Sequence, residues 1–457
     1  MMFNLYEDKN KKVHFIGIGG ISMSGLAEVL LYNGYTVSGS DRAGSNLTDK
    51  LERLGATIYI GHDSSNINDC DLVVYTAAIS EDNPELMRAH ELKIDLMDRA
   101  DFLGSIMKDY SRGIAVSGTH GKTTVTSMVS TVLLHAKLDP TIMVGGVLDL
   151  INGNVKVGNS EYFVTEACEY KRSFLKFNPN IGIILNIDAD HLDYYKDITE
   201  IEDTFVDFTK LIPDSGLLIG CADDSRVEAV LSKANCPKIL YGIEKGDIIA
   251  SNIEYNSQGL PSFDVHHTGE YIGKFSLSVP GRHNVLNSLS VIGLSLFLGI
   301  DIEVIREGLT LFHGTHRRFQ KKGIKNGIEV IDDYAHHPAE IKATIQAVKN
   351  YPHKKVYCIF QPHTYTRTIT LFDEFASAFD GLDNLILTDI YAAREKDTGI
   401  VSSKMLSDAV KKNGVNCTYI KDFDDILSHI KGELKEGDLL VTMGAGDVYI
   451  IGEQFLN

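Results

Sequence analysis

The chain has 457 residues, and its 44 Lys plus Arg against 62 Asp plus Glu leave a formal net charge of −18. That balance repels a phosphate backbone and excludes a general nucleic-acid binder, so any anionic ligand must be held by local donors. The 44% apolar and 23% charged fractions exclude disorder, and no apolar run reaches the roughly 18 residues of a transmembrane helix, so no membrane insertion is expected.

At about 150 residues per domain the length suggests about three domains. The N-terminal residues carry mixed charge where a secretory signal would be basic and then apolar. The six cysteines are scattered without a CxxC pair, which argues against a zinc ribbon or a thioredoxin-like site. The expected compartment is the cytoplasm.

In chain order, KKVHFIGIGG reads as a buried strand entering a glycine turn, and SMSGLAEVLLYNGY as the helix that leaves it. TVSGSD, ATIYIGH and DLVVYTAAI continue as strands, an alternation that predicts a parallel, doubly wound sheet. A new α/β pattern starts at GIAVSG, runs through GTHGKTT, and enters a helix from Val125 to Ala136. EYFVTEA, NIGIILNI, GLLIGCA and KILYGI follow as strands, and 247–280 reads as an antiparallel flap. GRHNVLNSLSVIGLSLFLGI reads as a long apolar helix. A third α/β set begins near Thr315, with IEVIDDYA, KVYCIFQPH, NLILTDIY, CTYI and DLLVTMGAG as its strands. These restarts set domain boundaries near 108 and 314.

The sharpest chemical signal is Gly118-Thr119-His120-Gly121-Lys122-Thr123-Thr124 between a strand and a helix. Glycines let backbone N–H groups curl around phosphate oxygens, and the helix N-terminus adds partial positive charge. Lys122 would reach the β- and γ-phosphates and the Thr123 hydroxyl would hold Mg²⁺. Val116 stands where the common phosphate-loop pattern has glycine, so this is a shortened variant. The plainer alternative is a threonine-capped turn with a solvated lysine, which leaves the coincidence of strand, motif and helix unexplained. A second glycine turn, Gly17-Ile-Gly19-Gly20-Ile-Ser22-Met-Ser24-Gly25, follows the first strand, with Ser22 where a dinucleotide fingerprint has its third glycine. It suits a pyrophosphate, and Asp41 at the end of the second strand suits a ribose; a purely structural tight turn is the alternative.

Two acidic clusters, Glu166-Ala-Cys168-Glu169 and Asp188-Ala-Asp190-His191-Leu-Asp193, each follow a strand. In a parallel sheet both would lie beside the phosphate loop and suit Mg²⁺, which takes oxygen ligands. Taken singly, each is more often a helix cap or a solvated turn; together with Lys122 the balance reverses. The third set carries Arg317-Arg318-Phe319, Asp332-Asp333-Tyr334-Ala-His336-His337-Pro338 and Gln361-Pro-His363-Thr364-Tyr365-Thr-Arg367. Paired arginines can clamp carboxylate or phosphate. Adjacent histidines are poorly spaced for one zinc, and capping is the alternative role for Asp332 and Asp333.

The motifs GIGGISMSG, GTHGKTT, EACEY, DADHLDYY, GRHNVLNSL, HRRF, DDYAHHPAEI and FQPHTYTRT stand in an order that resembles the Mur ligases over nearly the whole chain, most narrowly their alanine-adding branch. The resemblance implies three α/β domains. These are an N-terminal Rossmann-like UDP-binding domain (1–108), a central P-loop ATPase domain (109–314) and a C-terminal Rossmann-like ligase domain (315–457). It implies an ATP- and Mg²⁺-dependent ligase of cytoplasmic peptidoglycan synthesis, a monomer or homodimer. The reaction would join L-alanine to the lactyl carboxylate of UDP-N-acetylmuramate through an acyl phosphate.

Carried over residue by residue, Gly17, Gly19, Gly20, Ser22 and Ser24 would hold the UDP pyrophosphate, with Asp41, His62, Thr76 and Arg99 as further contacts. Gly118, Thr119, His120, Gly121, Lys122, Thr123 and Thr124 would hold ATP, with His283 and Asn287 at the adenine. Thr123 and Glu166 would bind Mg²⁺, and His191 a second Mg²⁺. Arg318, Tyr334, His336 and Arg367 would face the amino acid and the reacting centre, with Lys122, His336, Arg318 and Arg367 carrying catalysis.

Two departures stand out: Cys168 where many relatives have Asp, and Thr364 where many have Arg. Beside two carboxylates the Cys168 thiol is expected to have a raised pKa and low reactivity. No lysine after DHLD matches the carbamylated lysine of some Mur ligases. A ligase that attaches a recycled tripeptide to the same sugar nucleotide is the alternative within the family. Outside it stand a nicotinamide-dependent oxidoreductase, which leaves GTHGKTT unexplained, and a non-catalytic nucleotide-regulated binding protein.

Overall fold

The structure is a computed structural model that describes residues 3–76, 78–393 and 395–457. The chain divides into two compact units, residues 1–187 with 202–240, and 188–201 with 241–457. No helix among the described residues is long and apolar enough to cross a membrane.

The first unit opens with β1 (Lys12–Ile16), helix α1 (Ile21–Tyr32), β2 (Thr36–Asp41), α2 (Asn46–Arg53), β3 (Thr57–Ile60), β4 (Leu72–Tyr75), α3 (Pro84–Leu92), β5 (Asp95–Asp98) and α4 (Arg99–Lys108). The strands pair in the order β3-β2-β1-β4-β5, all parallel. β1 is buried over its last four residues, as a central parallel strand covered on both faces must be. Helix starts follow side-chain capping. Ser45 and Thr48 form a capping box on α2, Asn83 caps α3 ahead of Pro84, and Asp98 caps α4. The strand order reverses between β1 and β4, so their carboxyl ends frame the crevice where open α/β sheets bind ligands.

The same unit continues with β6 (Arg112–Ser117), α5 (Lys122–His135), β7 (Thr141–Leu148), β8 (Gly153–Lys156), β9 (Tyr162–Ala167), β10 (Ile181–Ile184) and β11 (Leu217–Cys221). Here the order is β11-β10-β6-β9-β7-β8, parallel except for the β7–β8 hairpin. Helix α5 starts at Lys122, three residues before the predicted start. Gly121 takes a left-handed φ of 86° as its N-cap, so Lys122, Thr123 and Thr124 form the first turn. Helix α1 packs on the β7–β8 hairpin. A Cβ at Gly25 would meet Val155 Cγ2 at 2.6 Å, and buried Asn154 donates to the Ile21 carbonyl at 2.7 Å.

Helices α6 (Ile198–Thr209) and α7 (Ser225–Ser232) and strand β12 (Lys238–Gly242) follow in the chain. In the second unit, Tyr241 and Gly242 pair with β13 (Ile248–Tyr255), which forms the predicted antiparallel meander with β14 (Pro261–His267) and β15 (Glu270–Ser276). α8 (Arg282–Phe297) is buried nearly all round, which accounts for apolar residues and small serines on all its faces. After α9 (Ile302–Leu311) come β16 (Gln320–Lys325), β17 (Ile328–Asp333), α10 (Pro338–Asn350), β18 (Val356–Phe360), α11 (Tyr365–Thr370), β19 (Asn384–Leu387), β20 (Cys417–Tyr419) and β21 (Leu439–Met443). They form a sheet in the order β16-β17-β21-β18-β19-β20, parallel except for the edge strand β16. Its polar sequence, QKKGIK, carries no alternation, and it was not among the strands read from the sequence.

Candidate active site

The first glycine turn is built by β2 as much as by its own glycines. The Gly17 and Ile18 N–H groups both donate to the Ser40 carbonyl, at 2.8 and 3.0 Å. Gly17 takes φ 83°, and a Cβ there would strike the Thr76 methyl at 2.8 Å, so Thr76 at the end of β4 abuts the turn. The Gly19 N–H donates to Asp41 Oδ2 at 2.9 Å, and the Arg42 N–H to Asp41 Oδ1 at 2.7 Å. Asp41 therefore clamps the turn itself. Gly20 caps α1 with no side-chain bond, and Ser24 folds back onto the Ile21 carbonyl at 3.0 Å. Arg99 Nη1 donates to Ser22 Oγ at 3.2 Å, bringing a guanidinium to the start of α1. His62, past the end of β3, lies 2.9 Å from both Ser40 Oγ and Glu85 Oε2.

The phosphate loop lies between β6 and α5. Gly118 (φ 134°) has no room for a side chain, because a Cβ would meet Leu185 and the Asn186 backbone at 3.0–3.1 Å. Asn186 pins the loop: its carbonyl accepts from the Thr119 N–H at 3.1 Å, its Oδ1 accepts from the His120 N–H at 2.8 Å, and its Nδ2 donates to the His120 carbonyl at 3.0 Å. No side chain caps α5 and no acid stands in its first turn, so the positive end of the helix faces the loop. Lys122 Nζ curls back to the Gly118 and Thr119 carbonyls and pairs with Glu169 Oε2 at 3.0 Å. Burial works against its charge, but Glu169 outweighs it and holds the ammonium protonated well above the usual lysine range.

Parallel pairing explains how the acid from β9 arrives. β6 and β9 are in a register that sets Glu166 opposite Val116, at the mouth of the loop. Thr123 Oγ1 donates to Glu166 Oε2 at 3.0 Å, and the Gly145 N–H donates to Glu166 Oε1 at 2.5 Å. A hydroxyl and an oriented carboxylate at a helix N-terminus are an oxygen donor set suited to Mg²⁺. Burial, then Glu169, push the Cys168 thiol up to about 11, in the expected direction.

The second cluster, Asp188 to Asp193, lies in the second unit with the C-terminal sheet. There Arg367 on α11 forks onto Asp190, with Nη2 to Oδ1 at 3.0 Å and Nε to Oδ1 at 3.2 Å. Burial works to raise the Asp190 pKa, but Arg367, with smaller help from the nearby histidines, keeps it well below the carboxylate range. His191 takes a left-handed φ of 56° with Nε2 3.9 Å from Asp190 Oδ2. An open pocket beside them is lined by Asp190, His191, Thr364, Thr366, Arg367 and Glu395. Thr364 holds φ 67°, a strained state for a β-branched residue, with its N–H donating to the Tyr391 carbonyl at 2.9 Å.

Asp332 and Asp333 end β17 inside the fold. Arg317 donates to Asp332 Oδ2 at 3.1 Å and to the Gly444 carbonyl at 2.7 Å, while Arg318 lies 5.0 Å over the Tyr334 ring. Asp333 accepts from the Phe319 and Ala335 N–H groups at 2.7 and 2.8 Å, and burial raises it to about 6. His336 Nδ1 lies 3.0 Å from the Tyr334 carbonyl, which can only accept, so that nitrogen carries the proton and Nε2 is left as an acceptor. Burial lowers His336 to about 4. His337 caps α10 in a box with Glu340. On α8, His283 and Asn287 stand one turn apart; burial lowers His283 to about 4, and Asn287 donates to Asn284 at 3.3 Å.

The sequence compares directly with known proteins. A UDP-N-acetylmuramate–L-alanine ligase of Clostridium novyi is 61% identical over 456 residues, covering 100% of this chain and 99% of the relative. The chain belongs to the Mur ligase family. The Mur ligase of the same description in Clostridium acetobutylicum is 60% identical over the full length of both. Family models match in succession: the "Mur ligase family, catalytic domain" over 12–111, the "Mur ligase middle domain" over 116–295 and the "Mur ligase, glutamate ligase domain" over 317–446. Among solved structures, the UDP-N-acetylmuramate-alanine ligase MurC of Thermotoga maritima superposes with a TM-score of 0.83 at 32% identity, covering 98% of each chain. A murein peptide ligase of Psychrobacter arcticus superposes with a TM-score of 0.72 at 26% identity, again over 98% of each.

This Mur ligase also carries site features that its motifs do not display. Asn186 fixes the phosphate loop, the Gly145 N–H orients Glu166, and Asp190 holds Arg367. Asn186 has one available signal, an amide two residues past a buried parallel strand. Gly145 has none, because a backbone N–H bears no sequence mark.

Proposed function

We propose that this Mur ligase joins L-alanine to the lactyl carboxylate of UDP-N-acetylmuramate with ATP, through an acyl phosphate, releasing ADP and phosphate. The observation that carries the reading is the pinned phosphate loop, with Lys122 and the Thr123–Glu166 pair converging at the N-terminus of α5. In this reading 1–108 binds the UDP substrate, 109–314 binds ATP, and 315–457 brings the amino acid.

The chain's own residues account for the steps. The Gly118–Thr124 loop cradles the β- and γ-phosphates, and Lys122 exchanges Glu169 for the transferring phosphoryl group. Thr123 and Glu166 would hold Mg²⁺, with His191 at a second ion; bound there, the metal neutralises phosphoryl charge. The sugar's carboxylate attacks the γ-phosphorus, and ADP leaves. Arg367 and Arg318 attract the alanine carboxylate. A ring lowered to about 4 is too weak a base to strip an ammonium, so His336 Nε2 accepts a hydrogen bond from the amine and aims its lone pair. The amine, neutral once its ammonium has given a proton to solvent, attacks the acyl carbon; as the C–O bond to phosphate breaks, the departing phosphate takes the second amine proton and the amide forms.

The decisive assay is phosphate release with ATP, Mg²⁺ and UDP-N-acetylmuramate, adding L-alanine in one arm and L-Ala-γ-D-Glu-meso-diaminopimelate in the other. Release that requires free alanine supports the reading. Release only with the tripeptide moves the assignment to the recycling ligase, to which the Psychrobacter structure lends some weight.

Two smaller effects follow. Asp41→Ala loosens the first glycine turn, so the KM for UDP-N-acetylmuramate is expected to rise about tenfold while the KM for ATP stays within about twofold. A change in the ATP constant alone would contradict two separate nucleotide sites. His336 is already neutral above about pH 4, so kcat/KM for alanine is expected to climb between pH 6 and 9 without a bend near the ordinary imidazole value. A bend there that disappears in His336→Gln would mean the ring does exchange a proton.

A further inference from the structure

Beneath His62 lies a polar cluster that the glycine-turn chemistry leaves unused. The Glu85 side chain, in the first turn of α3, is fully buried. Its Oε2 accepts from Ser40 Oγ at 2.6 Å and lies 2.9 Å from His62 Nδ1. Its Oε1 accepts from Asn66 Nδ2 at 2.7 Å, with His14 Nε2 at 3.5 Å. Burial works to raise this carboxyl, yet these partners hold it near 2, so it is a carboxylate that can only accept. Burying an ion is costly even when it is paired, and an apolar side chain would fill the same space.

The cluster leaves His62 one arrangement when the ring is neutral. Ser40 spends its hydroxyl proton on Glu85, so both groups facing Nδ1 are acceptors. Nδ1 must carry the hydrogen, and Nε2 must be a bare lone pair. The His62 side chain keeps 15% of its surface exposed. It follows β3, on the β2–β3 side of the crevice, beyond the turn that Asp41 clamps. That is the side a nucleoside takes when its phosphates sit on the glycine turn.

We propose that Glu85 is a positioning residue for nucleobase selection: it locks His62 with Nδ1–H inward, so that Nε2 accepts from the N3–H of uracil and opposes the N3 lone pair of cytosine. This rests on the reading that 1–108 binds a uridine nucleotide. It adds how the base is told apart and assigns a residue outside the motifs to that task.

The test is direct binding of UDP and of CDP to the full chain at pH 8.5 by calorimetry, with the phosphate loop filled by a non-hydrolysable ATP analogue. The wild-type protein is expected to bind UDP at least about tenfold tighter than CDP, the effect of one mismatched hydrogen bond. His62→Phe is expected to bring the ratio within about twofold of one. Glu85→Gln offers a donor where only acceptors stood, and is expected to lower the ratio at least about fivefold. Imidazole ¹⁵N spectra are expected to show one tautomer, protonated at Nδ1, in the wild type and two exchanging tautomers in Glu85→Gln; a merely structural Glu85 would change neither the ratio nor the tautomer.

An unchanged ratio in Glu85→Gln overturns the proposal, as does a wild-type His62 protonated at Nε2. Should Glu85→Gln not fold, the wild-type tautomer and the His62→Phe ratio decide. Equal binding of UDP and CDP, alongside intact UDP-N-acetylmuramate-dependent turnover, overturns this proposal and spares the ligase. Absence of both binding and turnover overturns the two together.

Discussion

Lys122→Ala is expected to lower phosphate release by about a thousandfold, the loss that follows removal of one charged donor from a preorganised phosphoryl site. The side chain is 15% exposed and its partner Glu169 only 3%. Without the ammonium, buried Glu169 loses its cation, so stability is also expected to fall, by about 3 kcal/mol. The two effects can be separated. Glu169→Gln removes the stranded charge, and the double variant is expected to regain most of the melting temperature while remaining inactive. If the double variant regains turnover, Lys122 acts only as a structural partner of Glu169 and the phosphate-loop assignment fails. If Lys122→Ala alone keeps its turnover, the same conclusion follows without the second substitution.

Arg367→Ala is expected to raise the KM for L-alanine about a hundredfold, because the proposed charge-assisted contact to the alanine carboxylate is lost. Lysine is not expected to rescue it, since one ammonium cannot reproduce the fork that Arg367 makes with Asp190. The pair also gives stability a defined pH dependence. Asp190 is held below its ordinary value, so its contribution is fully present above the unfolded carboxylate pKa of about 4 and is lost as pH falls through the depressed folded value. In Arg367→Ala, Asp190 is buried without its cation and is relieved by protonation. The melting-temperature gap between wild type and variant is therefore expected to be widest near pH 7 and to narrow below about pH 4. A gap constant from pH 3 to 7 would mean that the pair adds no net electrostatic stability.

Both glycine loops were legible because their requirements are local. Gly17, Gly118 and Gly121 take left-handed φ values that a side chain resists, and a strand before and a helix after each loop complete the signal. Glu166 was legible because a parallel sheet delivers the ends of its strands to one edge, whichever strands turn out to be neighbours. The helix start at Lys122 was placed three residues late, since apolar periodicity is silent about a first turn made of Lys, Thr and Thr. The chemistry assigned to His336 also shifts. Its type suits proton transfer near neutral pH, but burial, which no residue identity encodes, takes it to about 4, and in the proposed reaction its part becomes orienting the amine.

Composition, the two glycine loops and the alternation of strand and helix are properties of neighbouring residues, and they suffice for an α/β chain with glycine turns suited to phosphate; the family resemblance rests on the ordered motifs from GIGGISMSG to FQPHTYTRT. The partners that make those turns into sites are far away along the chain. Asn186 reaches back 66 residues to pin His120, Glu85 lies 23 residues beyond His62, and Asp190 meets Arg367 across 177. Which acid faces which base depends on strand order and register. A one-residue slip in the β6–β9 pairing would turn Glu166 away from Thr123. Packing likewise decides how dry each group is, and dryness sets whether a histidine is charged, a carboxylate is bare or a lysine is pinned.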